Sequence, residues 1–407
     1  MRIAQIAPLQ ESVPPKLYGG TERVVSYLTE ELVRQGHDVT LFASGDSKTT
    51  AKLTRCCDIA LRLNPSVRDG LPYHVIMLEE VRQRADEFDV LHFHIDFLHA
   101  PLVHAFADRT VTTHHGRLDL PDIAPFYDVF QELPLVAISN DQRRYLRDAN
   151  WAGTVHHGLP CNLLPFQSNP SGGYLAFLGR ISPEKGPNRA IEIAARSGMP
   201  LKIAAKVDRV DQAYWEQQIL PMVDAHSNVE FIGEINEHDK ARFLGEAVAL
   251  LFPIDWPEPF GLVMIEAMSC GTPVIAFRRA SVPEVIKDGL SGFIVDTVEE
   301  AVAAVRRIAD LDRSKIRAEF ECRFTAERMA RNYLDIYQQL VAVRTSSVRA
   351  RRVNSGGKAL HAVPGIAARL PLRQHPPSLG ASFGEPLSAR AGATNGGDDR
   401  RLLVSTE

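Results

Sequence analysis

The chain predicts an α/β protein built from two doubly wound parallel sheets, each covered by helices, with a disordered basic tail. Three observations predict it. Short apolar runs alternate with amphipathic helical patterns from the first residue onward. The runs are apolar on both faces, as strands buried beneath helices on each side must be. The alternation stops at a Pro/Ser/Asn/Gly-rich stretch, Asn162–Gly173, and then restarts. The length of 407 residues fits two domains and a tail.

The elements follow in order. Arg2–Ala7 reads as a first strand, Thr21–Gln35 as an amphipathic helix stopped by Gly36, and Asp38–Ala43 as a second strand. Thr21 is a candidate cap for that helix. Val90–Phe93, Thr110–Thr113 and Leu135–Ile138 continue the first series. Tyr174–Gly179, Leu201–Ala205, Val229–Ile232, Ala249–Phe252 and Pro273–Ala276 form the second, and Glu327–Val343 reads as a closing helix. The expected domains are 1–163 and 173–325, followed by the closing helix within 326–343 and a tail at 344–407. Ten Lys and Arg against four Asp and Glu, with eight Gly and five Pro, mark that tail as disordered. It reads as dispensable rather than as an anchor for anionic partners.

The formal net charge is −4, and 45% hydrophobic residues supply two cores. That balance argues against a nucleic-acid groove. No apolar run approaches a membrane span, and the apolar start is too short for a signal peptide. Five cysteines without metal or disulfide spacing suggest a reduced, cytoplasmic setting, compatible with peripheral attachment at the inner membrane face.

Two such sheets facing each other create a cleft at their strands' carboxyl ends, where ligands of this class bind. Four segments belong there. In WPEPFGLVMIEAMSCG, Glu258 and Glu266 lie eight positions apart. Pro257 and Pro259 keep Glu258 out of regular helix, and a helix begins after Phe260. At 1.5 Å per residue, Glu266 lies ~9 Å further along the axis. Between the carboxylates sits a helix start able to hold phosphate, and Gly261 permits close approach. This arrangement suits a long ligand with sugar, diphosphate and ribose in sequence; the alternative is a buried helix with one capping Glu. In FLGRISPEKG, Arg180 and Lys185 follow a strand on a loop and can neutralise a diphosphate. In PPKLYGGTE, Gly19 and Gly20 permit backbone approach, or mark a plain turn. In TTHHGRLD, a histidine past a strand would face the cleft. His92 and His94 have metal-compatible spacing, but no further ligand set is identifiable and no metal is assigned.

Together these segments resemble the retaining glycosyltransferases of family four, also grouped as glycosyl transferases group 1, which have the GT-B fold. The resemblance rests on GRISPEKG, EPFGLVMIE and GTPVIAF, extended by SVPEVIKDGLSGFIV, YGGTE and HHG, and covers residues 2–340. It implies a hexosyltransferase acting from a nucleotide-sugar donor, a UDP-sugar first and GDP-mannose second, on a carbohydrate, lipid-linked or small-molecule acceptor. It implies no cofactor or metal. It implies that Arg180 and Lys185 bind the diphosphate, that Glu258 lies by the donor sugar, and that Phe260, Gly261 and Leu262 offer backbone amides. Glu266 would take the ribose hydroxyls, Gly19 and Gly20 would close over the diphosphate, and His115, rather than His114, would contact sugar or acceptor. A loop near Gly233–Ile235 would select the base, and Asp46–Thr54 and Arg117–Tyr127 would meet the acceptor. An epimerase or hydrolase of similar shape, or a non-catalytic nucleotide-sugar sensor, are the competing classes.

Overall fold

Most of the apolar runs become strands buried on both faces; the run at 229–232 is the exception, half-exposed at the edge of its sheet. The computed structural model describes residues 1–16 and 19–355. The first sheet holds β1 (Arg2–Ile6), β2 (Asp38–Ser44), β3 (Lys52–Cys57), β4 (Val90–Phe93), β5 (Thr110–Thr113), β6 (Leu135–Ala137) and β7 (Trp151–Thr154). The second holds β8 (Leu175–Arg180), β9 (Leu201–Lys206), β10 (Val229–Gly233), β11 (Ala249–Phe252), β12 (Val274–Phe277) and β13 (Gly292–Val295). The orders are β3-β2-β1-β4-β5-β6-β7 and β10-β9-β8-β11-β12-β13. All pairings are parallel. Both sheets belong to one compact unit, residues 1–346.

Three strands escape the sequence reading: β3, β7 and β13. All three are sheet edges. An edge strand needs less apolar character; β3 (KLTRCC) and β7 (WAGT) contain no fully buried residue. The expected acceptor loop Asp46–Thr54 therefore runs into β3 at Lys52. The first helix starts at Gly20 behind Gly19, and no side chain caps it, so Thr21 is not its cap.

The closing helix is longer than its apolar pattern suggests, spanning Ala326–Ser355. Residues 344–355 contain neither Gly nor Pro, and the first glycines after them are Gly356 and Gly357. The start of the expected disordered tail is thus helical, and residues 356–407 lie outside the described residues. Met329, Ala330, Tyr333 and Tyr337 of this helix join Ile3, Val24, Val90 and Val111 in one buried cluster. The chain leaves the second sheet and returns to cover the first. Burying each such aromatic side chain contributes about 2–3 kcal/mol. Among the described residues no helix is long and apolar enough to cross a membrane.

Candidate active site

The strand order reverses between β1 and β4 in one sheet and between β8 and β11 in the other. A crevice opens at such a point because neighbouring connections leave to opposite faces. The segments singled out in the sequence follow β1, β5, β8 and β11.

Lys185 closes a short 3-10 turn, Pro183–Lys185, after β8. Its Nζ donates to Glu258 Oε2 at 2.8 Å and lies 4.2 Å from the centre of the Trp256 ring. Trp256 Nε1 donates to the same carboxylate oxygen at 2.9 Å. From the other lobe, the Arg117 guanidinium lies 5.7 Å from that ring. The indole is thus flanked by a cation from each lobe. Gly261 caps the helix Leu262–Ser269 with φ 83°. A Cβ there would meet Met264 Cε at 2.7 Å and the Phe252 ring at 3.2 Å. Only glycine turns the chain into this helix start without strain.

One turn into that helix, Glu266 Oε1 accepts from Lys240 Nζ at 2.8 Å. Lys240 also lies 3.3 Å from Glu237, which pairs with Arg23 of the first lobe at 2.5 Å. An alternating run of charges therefore crosses the cleft beside Glu266. Lys240 and Glu237 sit on the helix Glu237–Gly245, which follows the Gly233–Ile235 segment at the end of β10.

Arg180 differs from its expected loop position, because it is the last residue of β8. Its guanidinium reaches Glu184 at 2.5 Å, Asp211 at 3.5 Å and Asp208 at 3.8 Å. Its charge is balanced by three acids, and that of Lys185 by Glu258 alone among the ion pairs described, with Trp256 beside it.

In the first lobe, a Cβ on Gly19 would meet Pro15 Cβ at 2.8 Å, so the loop can pass there only as glycine. Gly20 faces the helix start across the cleft, its Cβ position 3.8 Å from Leu262 Cδ1. Leu17 and Tyr18 of this loop lie outside the described residues. The adjacent histidines part company. His114 turns to Asp96, at 3.3 Å, and hydrogen-bonds the Tyr127 hydroxyl. His115 bonds His94 at 2.9 Å and stacks on His157 at 5.2 Å. His157 meets the Phe260 ring edge-on at 5.0 Å. Burial pushes the His115 imidazole down to about 4, against a smaller opposing pull from Asp96.

His92 and His94 lie side by side, 4.0 Å between ring centres. Their nitrogens bond Tyr337, Thr113, Gln5 and His115. Among the described residues no group of three or more His, Cys, Asp or Glu side chains could hold a metal ion.

Sequence reasoning missed Trp256 as a shared platform, Lys240, Arg23, Glu237, His157 and Glu284. Glu284 accepts from the Asn140 and Asp141 amides of the first lobe at 2.7 Å each and from His156 at 3.2 Å. Trp256 lies within WPEPFGLVMIEAMSCG, Glu284 within SVPEVIKDGLSGFIV, and Arg23 directly follows YGGTE, whereas Lys240 and Glu237 stand in no segment that the sequence singled out.

Comparisons with known proteins agree with this architecture. Residues 18–157 match the family described as Glycosyltransferase Family 4, and residues 165–323 match Glycosyl transferases group 1. A phosphatidyl-myo-inositol mannosyltransferase of Mycobacterium leprae is 25% identical over 350 residues, covering 79% of this chain and 90% of that protein. Sucrose-phosphate synthase of Thermosynechococcus elongatus superposes with a TM-score of 0.68 at 18% identity, over 84% of this chain and 100% of that one. HepE of Anabaena, solved with UDP and glucose, gives 0.61 at 18% identity, over 85% of this chain and 100% of that one. The two family matches fall one on each lobe, so the chain belongs to glycosyltransferase family four, the group 1 glycosyl transferases, with the GT-B fold.

Proposed function

We propose that the enzyme moves a hexosyl group from a nucleoside diphosphate sugar to a hydroxyl acceptor, with retention of configuration and without a metal. The observation that carries this reading is the Glu258–Lys185–Trp256 cluster at a glycine-capped helix start, with Glu266 one turn further on. As the bond from the sugar's C1 to the diphosphate oxygen breaks, negative charge grows on that oxygen. Lys185 and the amides of Phe260, Gly261 and Leu262 stabilise it in this reading, as fixed charges and dipoles do where charge develops. Arg180 joins them by exchanging Glu184 for a phosphate oxygen. These cations and dipoles take the role a metal would have. Glu266 exchanges Lys240 for the ribose hydroxyls, and Glu258 orients the donor sugar. Gly19 and Gly20 close over the diphosphate, and His115 meets the sugar or the acceptor. The acceptor hydroxyl attacks C1 on the face the diphosphate leaves, and its proton passes to the departing oxygen.

A UDP-sugar is the first donor in this reading. Mannosyl transfer is the second reading, favoured by the name of the Mycobacterium leprae relative. The acceptor is a carbohydrate, a lipid-linked sugar or polyol, or a small metabolite. Any membrane attachment is peripheral, on the cytoplasmic side.

The test is release of UDP or GDP from UDP-glucose and GDP-mannose, with and without an acceptor panel. Lys185→Ala, Glu266→Ala and Arg180→Ala should each slow acceptor-dependent release by about 10²-fold or more. Three variants as fast as the parent would refute the site. Release from donor alone would support a hydrolase, and tight donor binding without turnover on any acceptor would support a sensor.

A further inference from the structure

We propose that Gln5 and His94 are positioning residues for His115, holding its imidazole neutral with the proton on Nε2 and leaving Nδ1 to accept a hydrogen bond from a substrate hydroxyl. This rests on the glycosyl-transfer reading and on His115 lying at the site.

The three residues come from neighbouring strands at the point where the first sheet's order reverses. Gln5 lies in β1, His94 follows β4, and His115 follows β5. Gln5 is paired in register with His92 and is fully buried, and the closing helix covers the same face.

Each proton in this group can be assigned from the bonds. Gln5 Nε2 donates to the Tyr337 hydroxyl at 3.2 Å, so Gln5 Oε1 is the acceptor facing His94 Nε2 at 2.8 Å. His94 therefore carries its proton on Nε2 and presents a bare Nδ1. That nitrogen lies 2.9 Å from His115 Nε2, which must be the donor. A neutral His115 protonated on Nε2 has a bare Nδ1.

The rest of the group closes without a charge. Tyr337, having accepted from Gln5, donates to His92 Nδ1 at 2.6 Å, and His92 Nε2 donates to Thr113 at 2.8 Å. Thr113 and the Tyr333 hydroxyl share a bond at 2.9 Å. The titratable groups facing His94 are His92, two residues earlier, His115 and His157. None supplies a carboxylate. Asp96 is the acid acting on His115, and it is engaged with His114.

Among the described residues His115 Nδ1 is buried without a hydrogen-bond partner, and the same holds for Nδ1 of the stacked His157. A bare nitrogen can take a hydroxyl proton, but has none to offer a phosphate oxygen. The roles are therefore separate: the diphosphate belongs to Lys185 and the helix start, and His115 reads a hydroxyl. Reversing the Gln5 amide would reverse every bond to His115 and convert Nδ1 into a donor. The amide of Gln5, deep in the first sheet, thus sets the hydrogen-bonding sense of the site.

The experiment uses the full chain with 15N-labelled histidine. Long-range proton–nitrogen spectra are recorded from pH 5 to 8, and the His115 signal is assigned by its loss in His115→Gln. The parent should show a protonated Nε2 and a bare Nδ1 throughout. His94→Leu should release this state, seen as a changed tautomer or a titration within that range. It should also lower kcat on the active donor by about tenfold, with donor KM changed less than about twofold. His94→Asn places Oδ1 where Nδ1 stood, and should recover the parent tautomer and most of kcat. Thermal unfolding checks each variant, and Gln5→Met, with the same expectation as His94→Leu, stands in for it should that protein not fold. A protonated Nδ1 in the parent overturns the proposal. So does a His94→Leu spectrum identical to the parent's, or equal kcat in His94→Leu and His94→Asn. If the parent consumes no donor at all, the glycosyl-transfer reading fails, while the spectra still decide the tautomer.

Discussion

Replacing Gly261 by alanine tests the geometry of the helix start directly. The backbone there has φ 83°, and a left-handed conformation costs alanine about 1–2 kcal/mol. The added Cβ would stand 2.7 Å from Met264 Cε and 3.2 and 3.4 Å from two Phe252 ring atoms. The methionine end can swing aside. The phenylalanine closes β11 inside the core and has little room to move, so overpacking adds about 1–2 kcal/mol. For a unit of this size the total of about 2–4 kcal/mol corresponds to a Tm fall of roughly 3–6 °C. Gly289→Ala is the matched control. Its φ is 73°, and a Cβ there meets no atom within 4 Å, so only the backbone term applies. Differential scanning calorimetry on both variants gives the steric part as the difference between their Tm shifts. Donor-dependent nucleotide release should fall about 10²-fold in Gly261→Ala and stay at the parent rate in Gly289→Ala, because the proposed function puts the donor diphosphate at the helix start that the first substitution shifts. Equal Tm shifts in the two variants, or undiminished turnover in Gly261→Ala, would refute the reasoning.

Two further perturbations follow from buried charges. Burial raises the Glu22 carboxyl from its ordinary 4.5 to about 7, against the lowering effect of its backbone hydrogen bonds. Between those values the folded protein binds the extra proton, so this group's contribution to stability is whole below pH 4.5 and is lost as pH rises to 7. The loss is ~3 kcal/mol for a side chain this buried, and Glu22→Gln should remove it. Urea titrations of parent and variant across pH 4.5–8 check this, and parallel stability curves would sink it; the buried histidines, which slope the other way below pH 6.5, cancel in the difference. Arg313 donates to the carbonyls of Gln167, Ala247, Gly245 and Cys270 and to Thr272 Oγ1 at 2.7–3.4 Å. Arg313→Met strips all five acceptors of this donor and should cost about 3–5 kcal/mol in urea unfolding, whereas a loss under about 1 kcal/mol would show that these bonds contribute little.

The fold and much of the candidate site were legible in the sequence because both are written in local chemistry. Central strands such as β11 (ALLF) and β12 (VIAF) are buried end to end, and their residues are apolar without interruption. Prolines around Glu258 and the glycine at 261 announce an irregular turn into a helix wherever the chain goes next. Edge strands lack that compulsion, and the closing helix continues past 343 because no breaker stops it, although the apolar period fades.

Only the tertiary structure decided which charges meet. Arg23 and Glu237 are 214 positions apart, His92 and Tyr337 are 245 apart, and Arg117 reaches Trp256 from the other lobe. Nothing in the residues flanking Lys240 marks it as the partner of Glu266. Local composition selects backbone conformation over a few residues, and so it is legible in the chain. A hydrogen bond between distant side chains depends on where two whole sheets place their strand ends. For the same reason the two neighbouring histidines, equivalent in the sequence, face different partners in the fold.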